Sequence, residues 1–356
     1  MTATAWTSDA AEAAARVGSR WEGLRDARLF VTGGTGFIGT WLLSTLHEAN
    51  RRLGLGARAV VLTRDPAAFA CRAPHLVDEG FVDLLAGDVR DFAWPEGRFT
   101  HAINGAAAAD AALAERDPDE VESTIVDGAR RVLELCRARG VRRLLALSSG
   151  AVYRQPIGVA RPLHEDDSVD GGPPGSGGVY HRAKRRMESV LGLGAGPSGG
   201  GDAPAVVVAR LFAFVGPGLP LDRHFAIGNF IADALAGGPI VVHGDGTPVR
   251  SYLYTADAAA WLWTLMAEGR PGRAYNVGSE RAVTIAQVAR MVAGATEPPL
   301  DVRFEGLPGV GGGGSWYVPD TRQARDELGL DEWTSLEGAV RRTIAYQRDR
   351  CRKEGR

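Results

Sequence analysis

The sequence predicts an α/β protein: a doubly wound parallel sheet followed by a smaller mixed α/β region. Three observations carry this. Apolar runs alternate with segments of helical spacing between residues 27 and 210. A glycine-rich turn, Gly33-Gly34-Thr35-Gly36-Phe37-Ile38-Gly39, lies between the first run and the first such helix. After Arg210 the alternation gives way to short strands and helices among Gly/Pro turns. Apolar runs interleaved with helices belong to a parallel sheet covered on both faces.

Taken in order, residues 8–20 read as an Ala-rich helix and the first 26 residues as an appended helical extension. Leu29-Phe30-Val31 is the first strand, and Phe37 to Ala49 the first helix of the sheet. Ala59-Val60-Val61-Leu62, Phe81 to Ala86 and Ala102-Ile103 supply three further strands. A long helix, Val121 to Arg139, leads to the fifth strand, Leu144 to Leu147. A helix from about Tyr180 to Val190 precedes a sixth strand, Ala205 to Ala209. Beyond it lie a strand at Ile240-Val241-Val242 and helices at Phe225 to Leu235, Asp257 to Met266 and Thr284 to Val292. The expected division is a dinucleotide-type domain over 27–210, with part of 250–295 returning to it, and a second domain mainly over 211–347. Segments 171–178, 192–204 and 307–314 are loops by composition; the first, GGPPGSGG, reads either as a linker or as an active-site lid.

Composition excludes several classes. Of 356 residues 45% are hydrophobic and 24% charged, so the chain is globular. The 41 Lys+Arg and 43 Asp+Glu leave a net charge of −2, which argues against a nucleic-acid binder. No apolar run reaches the roughly 18 residues of a membrane span. Asp9 and Glu12, with no apolar stretch beside them, do not read as a secretory leader. Three scattered cysteines, Cys71, Cys136 and Cys351, suggest a reduced, cytoplasmic protein with no metal cluster. Only two of the cations are lysines, Lys184 and Lys353.

The spacing Gly33-x-x-Gly36-x-x-Gly39 at a strand-to-helix junction is a phosphate cradle. Glycine lets the chain turn sharply, and backbone N–H groups at the helix start can approach a pyrophosphate. The second strand ends Thr63-Arg64-Asp65, with Thr63 where an acid would grip the adenosine ribose of NAD. Arg64 can pair with a 2′-phosphate, which would favour NADP, or it stacks on adenine or faces solvent. Asp88 is placed either to accept from the adenine amino group or simply to form a turn.

Tyr180-His181-Arg182-Ala183-Lys184 puts a phenol and an ammonium at i and i+4, on one helix face. A phenol with pKa near 10 must drop by about three units, about 4 kcal/mol, to act as a base near neutrality. A nearby ammonium helps to supply that. Ser148-Ser149 closes the fifth strand, where open α/β sheets place their sites, and Ser149 can orient a substrate hydroxyl toward Tyr180.

Together with Gly87-Asp88-Val89, Ser148 to Tyr153 and Gly244-Asp245-Gly246-x-x-x-Arg250, these motifs resemble the extended short-chain dehydrogenase/reductase family. More narrowly they resemble its nucleotide-sugar epimerase/dehydratase group, over about Ala27 to Gln347, with Asp320 to Gly329 similar to the family's tail helix. The resemblance implies a Rossmann-type sheet holding NAD or NADP and a smaller C-terminal domain holding a nucleotide-diphosphate sugar. NAD is the family's usual choice, whereas Arg64 leans to NADP. Ser149, Tyr180 and Lys184 would be the catalytic set. Gly33, Thr35, Gly36, Phe37, Ile38, Gly39, Thr63, Arg64, Asp88, Val89, Ala106 and Ala107 would line the dinucleotide together with Tyr180 and Lys184. Ser149, Asn229, His243 and Arg250 would meet the substrate, Arg250 on its phosphates and His243 near its base. A homodimer packed through helices such as those at 121–139 and 180–190 is also implied, with no metal.

The departures bear on the reaction. Dehydratases of the group carry Asp-Glu after the catalytic Ser/Thr, and decarboxylases a glutamate; here stand Gly150 and Ala151. The family's Asn after the sixth strand is replaced by Ala213 or Phe214. Glu165, Asp166 or His224 would have to supply any acid from elsewhere, although each reads as a solvated loop residue. The expected activity is a nucleotide-sugar epimerase oxidising at C4 and reducing again. A 4,6-dehydratase with a relocated acid, an NADPH-dependent 4-ketoreductase and a non-enzymatic dinucleotide sensor are the alternatives.

Overall fold

The computed structural model describes residues 5–107, 111–153, 160–167, 169, 178–193, 203–221, 225–306 and 315–353. Seven strands form one sheet: β1 (Arg28–Thr32), β2 (Arg58–Thr63), β3 (Val82–Ala86), β4 (His101–Asn104), β5 (Arg143–Ser149), β6 (Ala205–Leu211) and β7 (Ala274–Val277). Their order is β7-β6-β5-β4-β1-β2-β3, and every pairing is parallel. In register, Phe30 stands between Val60 and Ala102, and Leu145 between Ile103 and Val207. The central strands are buried almost throughout, as a sheet covered on both faces requires. Because β1 pairs with β2 on one side and β4 on the other, the winding reverses there and opens a crevice at the strands' carboxyl ends.

Eight longer helices cover the sheet and build the smaller region: α1 (Ala5–Val17), α2 (Phe37–Leu53), α3 (Pro118–Arg139), α4 (Val179–Val190), α5 (Ala226–Ala236), α6 (Thr255–Glu268), α7 (Ile285–Gly294) and α8 (Leu336–Lys353). Their ends obey local chemistry. Asp117 caps α3 by accepting from the Glu120 N–H, Pro118 opens it, and Gly140 closes it at φ 74°. Thr284 and Gln287 form a reciprocal capping box on α7. One core, under α1, α2 and α6, is continuous with the smaller region; the other lies under α3 and α4 on the opposite face.

Two elements differ from the sequence reading. The N-terminal helix spans Ala5–Val17, and it is no appendage. Ala10, Ala13, Ala14, Val17, Trp21 and Leu24 are buried in the main core, and Trp6 stacks on Trp41 at 4.5 Å. Asp9 accepts from the Tyr254 phenol and from Arg342, while Arg16 pairs with the fully buried Asp257. An Ala-rich face that looked featureless in sequence is the close-packing face of α1 against α2 and α6. The seventh strand, Ala274-Tyr275-Asn276-Val277, was not expected, being four residues long with an Asn inside. Its Asn276 side chain donates to the Leu163 and Asp320 carbonyls, so the polar group is satisfied where it is buried.

Beyond β6 the region is mixed, with two- and three-stranded pieces. In one, Val249-Arg250 lies between Val283-Thr284 and Trp316-Tyr317, with Tyr317 opposite Arg250 in register. In another, Ile240–Val242 runs parallel to Val302–Phe304. The tail helix Arg322–Leu328 ends at Gly329 in the left-handed conformation. No helix among the described residues is long and apolar enough to cross a membrane. The loop expectations for 171–178, 192–204 and 307–314 fall on segments that lie largely outside the described residues.

Candidate active site

The glycine turn is built by contacts that leave no room for side chains. Gly33 has φ +71°, and a Cβ on it would come within 2.3 Å of the Gly105 carbonyl group. A Cβ on Gly39 would sit 2.1 Å from the Gly33 oxygen and 2.5 Å from the Gly34 Cα. Thr32 closes the adjacent strands: its hydroxyl accepts from the N–H groups of Gly105 and Ala106. Gly39→Ala is therefore expected to cost about 1–3 kcal/mol by overpacking and to weaken dinucleotide binding. Thermal melting and titration with NAD check this, and an unchanged melting temperature would contradict the close approach.

A cleft of about 2010 Å³ runs over this turn. Among its lining are Gly33, Thr35, Gly36, Phe37, Thr63, Arg64, Asp88, Val89, Ala106 and Ala107. Ile38 instead packs against the core, and Gly39 is buried beneath the turn. The size and the glycine-lined floor suit a dinucleotide. Thr63 turns its hydroxyl to the Asp65 N–H, and Arg64 is exposed at the rim. Arg72, which carried no sequence signal, donates to the Thr35 carbonyl across the turn. Asp88 receives Arg90 Nε at 2.7 Å, Arg90 Nη2 at 2.9 Å and the Arg90 N–H at 3.0 Å. Arg90 thus holds this carboxyl below its usual range and leaves it little capacity for an adenine. Val89 packs under Gly128 of α3, where a Cβ would meet it at 2.7 Å.

Ser149, Tyr180 and Lys184 are not part of that lining, but the fold brings them together at the carboxyl end of β5. The Ser149 hydroxyl accepts the Ala151 N–H at 3.2 Å and lies close enough to the Tyr180 phenol to act on it. Burial pushes the phenol up, and the Ser149 contact draws it down. Lys184 is 2% exposed, donates to the Leu147 carbonyl at 2.7 Å and lies 5.8 Å from the Tyr180 ring centroid. Burial brings its ammonium down to about 8. Glu188, one turn further along α4, opposes that fall. This set can remove a hydroxyl proton from a substrate beside the nicotinamide position.

Lys184→Arg is expected to be disabling. A guanidinium is wider than the enclosed ammonium site, which invites about 1–3 kcal/mol of overpacking. With Tyr180 as a base ionised beside a charged lysine, the activity of the parent is expected to fall again as pH rises through about 8. Residual activity of the arginine form lacks that basic limb, because arginine does not titrate there. A pH–rate profile of both proteins reads this directly.

Beneath the set lies a buried polar network that the sequence did not reveal. Arg210 donates to Glu188 at 3.1 and 2.9 Å, to the Tyr153 phenol at 3.0 Å and to the Glu165 carbonyl at 3.0 Å. Ser148 donates to Glu188, and Tyr153 to Asn276. Glu165, expected to be solvated, is buried: one oxygen accepts the Asn276 N–H, and burial pushes its carboxyl up. Asp166 is exposed, and His224 lies outside the described residues.

The substrate candidates are more dispersed. Arg250 donates to the Ser315 carbonyl and hydroxyl at 2.9 and 3.0 Å and faces Tyr317. Asn229 is half-buried on α5. His243 is exposed and pairs with Glu305 at 2.7 Å. Tyr317 is the residue the sequence reading missed: its phenol oxygen fills the space beside Gly150, next to Ser149, and its ring lies 4.7 Å from that of Phe212. Its only signal was its place three residues before Asp320.

A doubly wound sheet with a glycine cradle and a Ser–Tyr–Lys cluster defines a dinucleotide-dependent class of enzyme. The chain belongs to the NAD dependent epimerase/dehydratase family, whose model matches residues 29–278. It is 26% identical over 335 residues to UDP-glucuronic acid decarboxylase 1 of Arabidopsis thaliana, covering 93% of this chain and 72% of the relative. Among solved structures it is similar to MoeE5 in complex with UDP-glucuronic acid and NAD, with 26% identity, a TM-score of 0.72, and 91% and 99% of the two chains covered. UDP-glucose 4-epimerase of Thermotoga maritima shares the fold, with TM-score 0.74, 22% identity, and 91% and 99% covered.

Proposed function

We propose that the protein is an NAD-dependent nucleotide-sugar 4-epimerase. The observation that carries this is the pairing of an intact Ser149–Tyr180–Lys184 set with Gly150 and Ala151, which hold no proton-transfer group. Gly150 has no space for one: a Cβ there would lie 2.6 Å from the Phe212 ring and 2.7 Å from the Tyr317 oxygen. Oxidation and re-reduction at C4 need one base and one hydride acceptor, whereas a 4,6-elimination needs further acid–base groups.

In this reading Tyr180, ionised, takes the proton of the sugar 4-hydroxyl, and Ser149 holds that oxygen in place. NAD, when bound, would supply the hydride acceptor and donor at C4. Lys184 stabilises the ionised phenol. In the same reading Arg250 meets the substrate's phosphates, and the turn from Gly33 to Gly39 seats those of the dinucleotide. After rotation of the keto sugar, Tyr180 gives its proton back. The same residues suit NAD; Arg64 and Arg72 at the rim leave room for a 2′-phosphate. UDP-glucuronic acid is the first sugar to test, because it appears both in the name of the plant relative and as the ligand of MoeE5.

A decarboxylase is the second reading, favoured by the similarity to the plant enzyme. Both begin with C4 oxidation, and a 4-keto uronic acid is poised to lose CO₂. Incubation with NAD and UDP-glucuronic acid, then with UDP- and dTDP-glucose, separates them by NMR of the product. A C4 epimer with all carbons retained supports the proposal. A pentose nucleotide or a 6-deoxy-4-keto sugar would overturn it. NAD released on denaturation agrees with one cofactor cycling within a turnover, and an empty site would point to the ketoreductase.

A further inference from the structure

We propose that the amino edge of the sheet, at the opposite end from the cleft, is a docking surface for an acidic peptide segment of a partner protein. The strands of a parallel sheet all begin at one edge. Here Arg28 opens β1, Arg58 opens β2 and Arg142 stands one residue before β5. Backbone hydrogen bonds fix them in a row: the Arg58 N–H donates to Ala27, that of Thr100 to Arg28 and that of Arg142 to Thr100. With strands about 4.8 Å apart, the row from Arg58 to Arg142 is about 14 Å long. Arg98, whose guanidinium lies against Gly140, and Arg137 in the last turn of α3 flank it.

These cations are not neutralised. Arg58, Arg98, Arg137 and Arg142 are exposed. Arg28 lies over the Phe99 ring at 4.3 Å and donates to the Glu96 carbonyl, not to a carboxylate. Among the described residues none of the five has an acidic partner, although Asp26 and Glu96 lie beside the row. On the same edge Arg270 and Arg273, before β7, share Glu327, so the open stretch ends there. The field reaches inward: burial first, and then Arg142 and Arg143, bring the His101 imidazole down to about 4. The whole chain carries a net charge of −2, so this edge is a local concentration of positive charge.

Guanidinium forks match carboxylates and phosphates alike. A single-stranded nucleic acid also needs exposed rings for its bases, and Phe99, the ring under this row, is 1% exposed. A membrane needs a broad face with apolar side chains to insert, whereas this is a single row. Four or five extended residues span about 14 Å, so a short run of Asp and Glu fits. A partner held there leaves the cleft at the carboxyl ends of the strands open.

Fluorescence anisotropy of a labelled deca-glutamate peptide with the full chain tests this at low salt. Binding is expected, and it is expected to fade toward about 0.15 M salt. Arg58→Glu with Arg142→Glu is expected to weaken it by about tenfold or more, with NAD binding and melting temperature as in the parent. Arg341→Glu with Arg348→Glu, exposed on α8 and matched in charge, is expected to stay within about twofold of the parent. Equal loss in the two double variants, or binding no tighter than that of deca-glutamine, overturns the inference. So does tighter binding of decathymidylate or of phosphatidylserine vesicles than of the peptide.

Discussion

Tyr180→Phe is expected to lower turnover by about 10²- to 10⁴-fold while leaving dinucleotide affinity and melting temperature as in the parent. The change removes one oxygen and keeps the ring that packs against the core beneath α4. Among the described residues, the other phenols near the site, Tyr153 and Tyr317, are held protonated by burial, so neither is placed to take over as base. Glu165 is turned to the Asn276 N–H. Single-turnover formation of NADH on adding substrate reads the oxidation half-reaction by itself. Retention of full turnover would refute the proton transfer assigned to Tyr180.

Arg210→Met carries the largest expected effect on stability, a loss of about 3–5 kcal/mol. Arg210 and Glu188 are each 4% exposed and joined by two hydrogen bonds. Removing the guanidinium leaves a buried carboxylate with only the Ser148 hydroxyl and the more remote Lys184 ammonium to offset it, and strips a donor from the Tyr153 oxygen. The double variant Arg210→Met with Glu188→Leu is expected to recover much of the loss, since deleting both partners removes the uncompensated charge. Urea unfolding of the three proteins measures this. A single variant within about 1 kcal/mol of the parent would show that the pair is not desolvated as described.

The sequence made the sheet legible because parallel strands are apolar throughout and their register needs no side-chain code. Six strands, the glycine turn and the Tyr180–Lys184 face follow from local spacing. What stayed hidden depends on contacts between distant positions. Asn276 becomes part of a strand because Leu163 and Asp320 accept its amide protons. Glu165 reads as a solvated acid until the Asn276 N–H is seen to hold it. Tyr317 joins the site through a three-stranded piece whose members are two residues long, too short to show any period. The misjudged α1 has the same cause in part: its alanines are wedged between α2 and α6, and α6 lies some 250 residues away.

That helix sets an order on biogenesis. Asp9 is bound by Arg342, 333 positions downstream. At about 5–20 residues per second, a ribosome needs roughly 17–67 s to cover that distance. Until α6 and then α8 emerge, the face bearing Ala10, Ala13, Val17 and Trp21 has only α2 to pack against. The wall that Trp6 contributes to the dinucleotide cleft rests on Trp41 of α2 and on Tyr346 of α8, so it is complete only when the last helix is in place.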